Sequence, residues 1–382
     1  MINNAGCPVA TFGLSDSRSV IEPATGLTPP VARRTVIASA ALLCLGLATP
    51  AEALVIDVTY DSSVTSLGNT GSVTTAEIEN AYGSVAAAFE AAIANNVTVS
   101  IGVGWGEYGG QTVAAGNIGE SSYNTDSGKS YSQISALLSA AAPGDALPGS
   151  NPTASLIGFL IPDAEALALG LSAAPVTGSD GCACDGYIGF DSSVTFTFND
   201  QSGVAANTYD FVAAAEHETE EVLGRASGLT STSPLYATPL DIFRYSAPNT
   251  NSDGYNATAY ASTNGGVTDL GTFNSSGTGD RGDWATPGGT TDAQNAAAPT
   301  GVKAGLSISD EDVLTGLGWH MTGQAGNLFS GTNAPAGATA SVNNPTNTPE
   351  PASLSLFLAG VGAVGWLRRR RMTWWAGCQL QV

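Results

Sequence analysis

One short segment of the chain combines residue types that can hold a metal ion and activate water. His217 and Glu221 are four residues apart, so on a helix both side chains lie on one face, one turn apart. Zinc accepts imidazole nitrogen and carboxylate oxygen, and Glu218 follows His217 directly, where it can reach a metal-activated water. This is the H-E-x-x-H arrangement with glutamate in place of the second histidine. It predicts His217 and Glu221 as zinc ligands and Glu218 as general base, although a solvated acidic helix face has the same pattern.

The helix that must carry these residues is predicted over 208–225, where the residue pattern is strongly helical. Before it, the sequence predicts a strand over 54–60, a helix over 75–95, a strand over 97–103, a helix over 131–142, a short strand over 157–161 and one or two strands within 186–198. After it, residues 226–305 are rich in Gly, Ser, Thr, Asn and Asp, which predicts loops with short strands. A last helix is predicted over 309–317. This order predicts an α+β domain.

Four blocks in and after this helix resemble a family of PEP-CTERM-anchored bacterial metalloproteases. The blocks are A-E-H-E-T-E-E-V-L-G-R at 215–225, D-I-F-R-Y-S-A-P at 241–248, G-D-R-G-D-W at 279–284, and L-S-I-S-D through L-G-W at 306–319. The last block also resembles the closing helix of matrixin-like metzincins. The chain departs from the family pattern in three ways: Glu220 stands where serine is usual, Glu216 is an additional acid, and an insertion carries Cys182 and Cys184.

The resemblance covers residues 54–320 and implies a fold. That fold is zincin-like and metzincin-related, with a mixed sheet backed by helices, the metal helix across it, and a long loop-rich C-terminal subdomain. The resemblance also implies peptide-bond hydrolysis. In that reaction zinc polarises the scissile carbonyl, and Glu218 takes a proton from water and passes it to the leaving amine.

A catalytic zinc site needs a third protein ligand, which the helix itself does not supply. Metzincins place this ligand just beyond the helix glycine, where the chain has Ser227, a poor zinc ligand. Gluzincins use a more distant acidic residue. Asp241, which lies twenty residues after Glu221, is therefore predicted to be the third ligand. His320, beyond the last helix, is predicted to pack at the domain edge.

Further polar residues in the four blocks are candidates for supporting roles. Tyr245 could donate a hydrogen bond to the transition-state oxyanion, with a place in the core as the alternative. Asp280 and Asp283 are predicted to be turn residues first, and calcium or metal ligands second. Arg225 and Arg244 are predicted to pair with acidic side chains in the folded domain.

Both ends of the chain are predicted to direct export. Residues 1–53 place two arginines before a short apolar run over 36–48 and an A-E-A cleavage site, which is typical of a signal peptide. A P-E-P tripeptide, an apolar stretch over 353–367 and arginines at 368–371 resemble the PEP-CTERM sorting signal of Gram-negative bacteria. Residues 349–371 are therefore predicted to be a membrane anchor that exosortase-type sorting machinery recognises.

The remaining segments complete the predicted organisation. Residues 54–320 are expected to form the metallopeptidase domain, 321–348 a flexible linker rich in Gly, Ala, Asn, Thr and Pro, and 372–382 an atypical tail. The arginines after the apolar stretch would stay on the cytoplasmic side of the membrane. We therefore expect export across the inner membrane to the cell surface or the extracellular space, with a C-terminal membrane segment before sorting.

The exported part of the chain is strongly acidic. Residues 54–349 contain five of the 12 basic residues and 29 of the 33 acidic ones, a formal charge of −24. Such a charge excludes nucleic acid as a partner. Cys182 and Cys184 are the only cysteines in this part. They are predicted to belong to a loop insertion that export would allow to oxidise, without the further Cys or His that a metal site needs.

Together these features predict a secreted or cell-surface zinc-dependent endopeptidase that acts on a protein or peptide substrate. The cofactor is expected to be zinc, with calcium as a further candidate. The alternative is a non-catalytic protein on the same fold, either a component of the cell surface or biofilm matrix or a calcium-binding structural domain. The presence of Glu218 favours the enzyme, because a domain that served only as a scaffold would not need a general base.

Overall fold

The computed structural model describes residues 53–322 apart from 127, 154, 176, 179–180, 230–235, 276, 278 and 286–290. The predicted sorting anchor and tail lie outside the described residues, as do nearly all of the signal peptide and the linker. Everything below concerns the described part of the predicted domain.

Six α-helices are present in the described residues: α1 Ser62–Thr65, α2 Thr75–Ala92, α3 Tyr131–Ala141, α4 Asp163–Ala168, α5 Phe211–Val222 and α6 Ile308–Gly316. The four longer ones confirm the predicted helices to within three residues at each end. The Thr74–Glu77 capping box begins α2, where the Thr74 side chain accepts from the Glu77 amide and Glu77 accepts from the Thr74 amide. Helices α1 and α4 were not predicted, because four and six residues are too few for an apolar period to emerge.

The strands are mostly short: β1 Val55–Tyr60, β2 Thr98–Trp105, β3 Glu107–Tyr108, β4 Gln111–Thr112, β5 Gly119–Tyr123, β6 Gly158–Phe159, β7 Gly186–Phe190, β8 Phe196–Thr197, β9 Tyr209–Asp210, β10 Tyr236–Ala237, β11 Arg244–Ala247, β12 Thr250–Asn251, β13 Tyr260–Ala261 and β14 Gly271–Thr272. The predicted opening strand, the strand after α2 and the short strand before α4 are confirmed. The region predicted as loops and short strands contains β10 to β14, and also a 3₁₀-helix over Pro239–Phe243 that was not predicted.

The main sheet has four strands in the order β1-β2-β7-β5. Strands β1, β2 and β7 are parallel, and β5 pairs antiparallel with β7 at the edge. Strand β7 is buried along its whole length, with α5 on one face and β3 on the other. Helix α5 packs against β5, β7 and α2, which places the predicted metal helix directly beside the edge strand.

The loop-rich half contains a second sheet of four antiparallel strands in the order β12-β11-β13-β14. Its residues join those of the main sheet in one hydrophobic core, which includes Phe243, Phe273, Trp284 and Trp319. Continuous burial across both halves explains how loops of low regularity keep a defined path over α5.

Candidate metal centre

Helix α5 begins and ends where the sequence provides strong local signals. Asp210 caps its first turn by accepting from the amides of Val212 at 3.1 Å and Ala213 at 3.3 Å. Phe211 anchors the same end, with its ring centroid 4.4 Å from that of Phe190. Gly224 ends the helix in a left-handed conformation at φ +113°, which a side chain would strain. The twelve-residue helix therefore presents His217 and Glu221 one turn apart, as predicted.

His217, Glu221 and Asp283 form a compact group that we call the candidate metal centre. The Nε2 atom of His217 lies 3.7 Å from Oε1 of Glu221 and 3.6 Å from Oδ1 of Asp283. The three ligand atoms all lie within 4.8 Å of one another. The side chain of His217 is 17 % exposed, and both carboxylates are buried. One ion could contact all three atoms after small side-chain adjustments, because zinc–ligand distances are about 2 Å.

In each of these residues, a second polar atom is held by a neighbour outside the centre. His217 Nδ1 lies 2.9 Å from the Ala293 carbonyl oxygen, to which it donates, and this contact leaves Nε2 facing the centre. Ser121 Oγ donates to Glu221 Oε2 at 2.6 Å. The Asp280 amide donates to Asp283 Oδ2 at 2.9 Å. Such outer contacts orient the ligands of a metal site before the metal binds.

The atoms that face the centre have no such contacts. Glu221 Oε1 and Asp283 Oδ1 are buried and have no hydrogen-bond partner among the described residues. A buried carboxylate oxygen without a partner is costly, so a cation at this position would resolve the deficit of both oxygens at once. One imidazole and two carboxylates are a donor set that zinc accepts. The residues present therefore fit the predicted metal.

Asp241, the predicted third ligand, does not belong to the centre. Its Oδ1 accepts from Ser227 Oγ at 2.6 Å, and its Oδ2 accepts from the amides of Gly228 at 3.0 Å and Thr238 at 2.9 Å. With Thr238 it forms the capping box of the 3₁₀-helix. The structure thus corrects the prediction: Asp241 is committed to local backbone amides, and Asp283, predicted to be a turn residue first, stands beside His217 instead.

Glu218 lies beside the centre, against the edge strand of the main sheet. A Cβ atom placed on Gly119 in β5 would lie only 2.5 Å from Glu218 Oε1, so the glycine leaves the space that this carboxylate occupies. Burial raises the pKa of Glu218 well above its usual range, and the nearby Glu221 charge raises it further. Burial also disfavours ionisation of Glu221, but its contacts with His217 outweigh that effect and lower its pKa. The pKa values of these two neighbouring carboxyls are shifted in opposite directions. Such a pair suits different roles, with one carboxyl as a proton carrier and the other as a metal ligand.

The centre opens into a cleft of about 440 Å³. The cleft is lined by His217, Glu218, Glu221, Asp280 and Asp283, and by two walls, one over 116–121 and the other formed by ten of the residues in 291–304. The volume is in the range of small-molecule and peptide side-chain sites. The predicted metal helix therefore faces a cleft and not a closed core.

The prediction that Tyr245 supports the transition state is wrong in this structure. Tyr245 lies in β11, is 1 % exposed, and is absent from the described residues that line the cleft. The alternative prediction, that Tyr245 belongs to the core, is confirmed. A different tyrosine, Tyr108 in β3, lines the cleft instead, and its pKa is raised by burial and by the charges of Glu120 and Glu218. Its two-residue strand left no sequence pattern that could have singled it out.

A buried network around Arg225 connects α5 to the loop that carries Asp283. The Arg225 guanidinium lies 3.4 Å from Glu220, 3.2 Å from Asp310 and 4.4 Å from the centre of the Trp284 ring. Its Nη1 donates to the Gly282 carbonyl, immediately before Asp283, at 3.2 Å. The predicted pairing of Arg225 with acids is confirmed. Glu220, which departs from the family pattern, is one of its partners.

Gln294 provides a second connection between the same elements. Its Oε1 accepts from Arg225 Nη1 at 2.5 Å, and its Nε2 donates to the His217 carbonyl at 3.1 Å. Its own carbonyl accepts from the Trp284 amide at 2.8 Å. Gln294 therefore fixes the wall that supplies the Ala293 carbonyl to His217. Sequence reasoning did not identify Gln294, because an amide inside a Gly- and Ala-rich segment carries no motif.

The other predicted polar residues lie away from the centre. Arg244 donates to the Arg281 carbonyl and stacks 4.5 Å from the Phe273 ring centre, and no ion pair to it is found among the described residues. His320 is exposed, with Nε2 3.0 Å from the Ala141 carbonyl, which agrees with the predicted edge position. Cys182 and Cys184 form a disulfide with their Cα atoms 5.3 Å apart.

Comparison with known proteins identifies the end of the chain. No curated protein and no solved structure matches the chain. Among the described residues, no helix is both long and apolar enough to span a membrane, and the predicted anchor lies outside them. Residues 347–371 match the PEP-CTERM protein-sorting motif. The chain therefore carries the sorting signal of an exported, surface-directed protein, which exosortase-type machinery recognises.

Proposed function

We propose that the described domain is a zinc-dependent endopeptidase that acts at the cell surface or outside the cell. His217, Glu221 and Asp283 would hold the zinc. The observation that carries this proposal is the pair of buried oxygens without a hydrogen bond, Glu221 Oε1 and Asp283 Oδ1, that face His217 Nε2. A solvated acidic helix face would expose these carboxylates, whereas both are buried in a cleft.

A zincin-like arrangement is the proposed fold, and two features support it. The metal helix α5 runs beside a mixed sheet whose edge strand β5 is antiparallel to its neighbour. The second feature is the position of this edge strand at the cleft: β5 belongs to the main sheet, and its residues 119–121 line the cleft. An open strand edge beside a catalytic residue can bind an extended peptide by main-chain hydrogen bonds, which suits a protein or peptide substrate.

The proposed chemistry divides between the metal and one carboxylate. A bound zinc would polarise the scissile carbonyl and lower the pKa of a water. Glu218 would take a proton from that water on its carboxylate and deliver it to the leaving nitrogen. Its raised pKa suits this task, because a carboxylate of ordinary pKa is a weak proton acceptor near neutral pH. The wall at Gly119 would keep the carboxylate in the cleft.

The calcium-binding alternative receives less support at this position. Calcium prefers six to eight oxygen ligands, whereas the candidate centre includes an imidazole nitrogen. Asp283, one of the two residues considered for calcium, belongs to this nitrogen-containing group. Zinc is therefore the favoured ion for the centre.

Replacement of Glu218 tests the enzymatic role directly. Glu218→Gln should retain zinc and folding but lose roughly 100-fold or more of peptide hydrolysis, because it removes a proton acceptor and no ligand. Zinc content, thermal unfolding and casein cleavage would be measured on the parent and the variant. Glu79→Gln on α2 is the matched control and should behave as the parent. Hydrolysis by the variant at the parent rate would exclude Glu218 as the base, and a parent without zinc or hydrolysis would favour a non-catalytic surface protein.

A further inference from the structure

The loop-rich half of the domain buries two neighbouring arginines, Arg244 at the start of β11 and Arg281 in the loop that carries Asp283. They are 0 % and 4 % exposed. Arg244 Nη1 donates to the Arg281 carbonyl, and the two guanidinium groups stack on different rings, 4.5 Å from the Phe273 centre and 4.0 Å from the Tyr255 centre. Neither arginine is among the described residues that line the cleft. The pair therefore lies beneath the loops, apart from the candidate metal centre.

Neither of these arginines has an acidic partner among the described residues. Every ion pair that a described arginine forms belongs to Arg225, which contacts two acids. The sequence has no Asp or Glu at the internal positions of this half that the structure leaves undescribed, 230–235, 276, 278 and 286–290. A guanidinium stays charged in proteins, and a buried charge without a partner of opposite sign is costly. The interior of this acidic domain thus contains two positive charges that no acid of the domain pairs with.

Asp241 is the acid whose charge reaches Arg244, but it offsets the positive charge only in part. Burial lowers the pKa of Arg244, the Asp241 charge opposes this shift, and the Arg281 charge adds to it. Both oxygens of Asp241 accept hydrogen bonds from groups at and before the 3₁₀-helix. In the described structure no ion pair joins Asp241 to Arg244.

Arg244 also has donors that no described group satisfies. Its Nε and Nη2 atoms are buried and have no hydrogen-bond partner. These two nitrogens form one edge of the guanidinium, the edge on which two parallel N–H groups bind a single anion. A water molecule on this edge would accept hydrogen bonds but would leave the charge unbalanced. An anion there would satisfy both donors and supply the missing negative charge at once.

We propose that Arg244 binds a small anion, chloride, on its Nε–Nη2 edge, with the nearby charge of Arg281 adding to the attraction. Burial of both arginines away from the cleft favours chloride over phosphate or a carboxylic acid, which need more room. The anion would also steady the loop that carries Asp283, because Arg244 holds the Arg281 carbonyl two residues before it. Such a site is independent of the proposed peptidase activity.

Thermal unfolding of the full-length chain tests the site in two buffers of equal ionic strength, one with sodium chloride and one with sodium gluconate, whose anion is much larger. The chain would first be stripped of metal, so that an anion bound to zinc contributes nothing. Chloride at about ten times its Kd should raise the unfolding midpoint by about 4 °C relative to gluconate. Arg244→Met can still pack against Phe273 but lacks the guanidinium, so the chloride effect should disappear in this variant.

Lys303→Gln is the matched control, because Lys303 is an exposed base that pairs with Asp200 at 2.9 Å. It should keep the full chloride effect. Parent crystals grown in bromide should show an anomalous peak beside Nε and Nη2 of Arg244, which decides the question even if Arg244→Met does not fold. The proposal is overturned by equal midpoints of the parent in both buffers, by an undiminished effect in folded Arg244→Met, by loss of the effect in Lys303→Gln, or by the absence of a bromide peak at Arg244.

Discussion

In each residue of the candidate metal centre, one polar atom forms a hydrogen bond that orients the side chain, and a second polar atom faces the centre. The outer partners are of different kinds: a main-chain carbonyl for His217, a hydroxyl for Glu221 and a main-chain amide for Asp283. Because these partners come from three separate segments of the chain, the geometry of the centre depends on the folded domain as a whole. An isolated α5 peptide would have two of the three proposed ligands but none of these outer contacts.

At this scale, Gly119→Ala probes how the proposed base is positioned. The new methyl group would meet Glu218 Oε1 at 2.5 Å, and the flexible carboxylate would have to move aside. We expect roughly 10- to 100-fold lower kcat/KM with zinc content and thermal unfolding close to those of the parent. Gly144→Ala is the control, because its Cβ would meet nothing within 4 Å. Parent-like hydrolysis by Gly119→Ala would show that the position of Glu218 against β5 is unimportant.

Two of the three proposed ligands could be predicted from the sequence, and the third could not. The spacing of His217 and Glu221 within one helix determines their proximity, whatever the rest of the fold. The position of Asp283 depends on how some sixty residues of irregular chain return over the helix, from Gly224 onward, and no periodicity encodes that path. A signal against Asp241 was available, however. Thr238 and Asp241 are spaced as a capping box, a pattern that commits the acid to backbone amides.

At the scale of elements, three of the four blocks that carry the family resemblance meet around Arg225. The guanidinium comes from the end of α5, Trp284 and the Gly282 carbonyl from the Asp283 loop, and Asp310 from the first turn of α6. Trp284 Nε1 also donates to Asp310 Oδ1 at 2.8 Å. Helix α6 was predicted from its pattern, but its role in holding the loop that carries Asp283 could be seen only in the tertiary structure. The network therefore helps to position Asp283, the third proposed ligand, without contacting the centre itself.

Trp284→Phe should weaken this positioning. The phenyl ring can still pack beside Arg225 and Phe273, but the hydrogen bond to Asp310 is lost. We expect about tenfold weaker zinc binding and a loss of about 1–3 kcal/mol in the free energy of unfolding. Trp319→Phe is the control, because its Nε1 donates to the Leu223 carbonyl at 2.8 Å, away from the Asp283 loop. If both variants lose stability equally and bind zinc like the parent, the network is structural only.

At the scale of the molecule, the acidity of the chain extends into its interior. Glu216, Glu220, Asp292 and Asp310 are all buried, and Arg225 is the base that reaches two of these acids, Glu220 and Asp310. Burial raises the pKa of Asp292 to about 7, with the Asp310 charge adding to the effect, and burial raises the pKa of Asp210 to about 6. Such carboxyls favour the folded state when they are protonated.

These shifts predict that the metal-free chain becomes less stable as pH rises. Between pH 4 and about 7, the folded state binds more protons at Asp292 and Asp210 than the unfolded state, so the free energy of unfolding falls across this window. Each carboxyl contributes at most about 1.4 kcal/mol per pH unit within its window. The urea midpoint should therefore be lower at pH 8 than at pH 5. Asp292→Asn, which cannot ionise, should reduce the difference, and a midpoint that rises with pH would contradict the prediction.

Export is the other property of the whole molecule, and it agrees with the chemistry proposed for the domain. The sorting motif at 347–371 directs the chain toward the cell surface, where the disulfide between Cys182 and Cys184 can persist. The motif could be identified from sequence because its order of tripeptide, apolar stretch and arginines does not depend on folding. A surface location would also place the acidic cleft in contact with extracellular proteins and peptides.

Zinc titration of three purified chains tests the central claim, that His217, Glu221 and Asp283 form one metal site. The parent should bind about one zinc per chain by calorimetry and elemental analysis. Asp283→Asn should bind roughly 100-fold more weakly or not at all, since it replaces a ligand. Asp241→Asn should bind like the parent and lose only stability, because its carboxylate caps the 3₁₀-helix. Parent-like affinity in Asp283→Asn, or loss of zinc in a folded Asp241→Asn, would contradict the account.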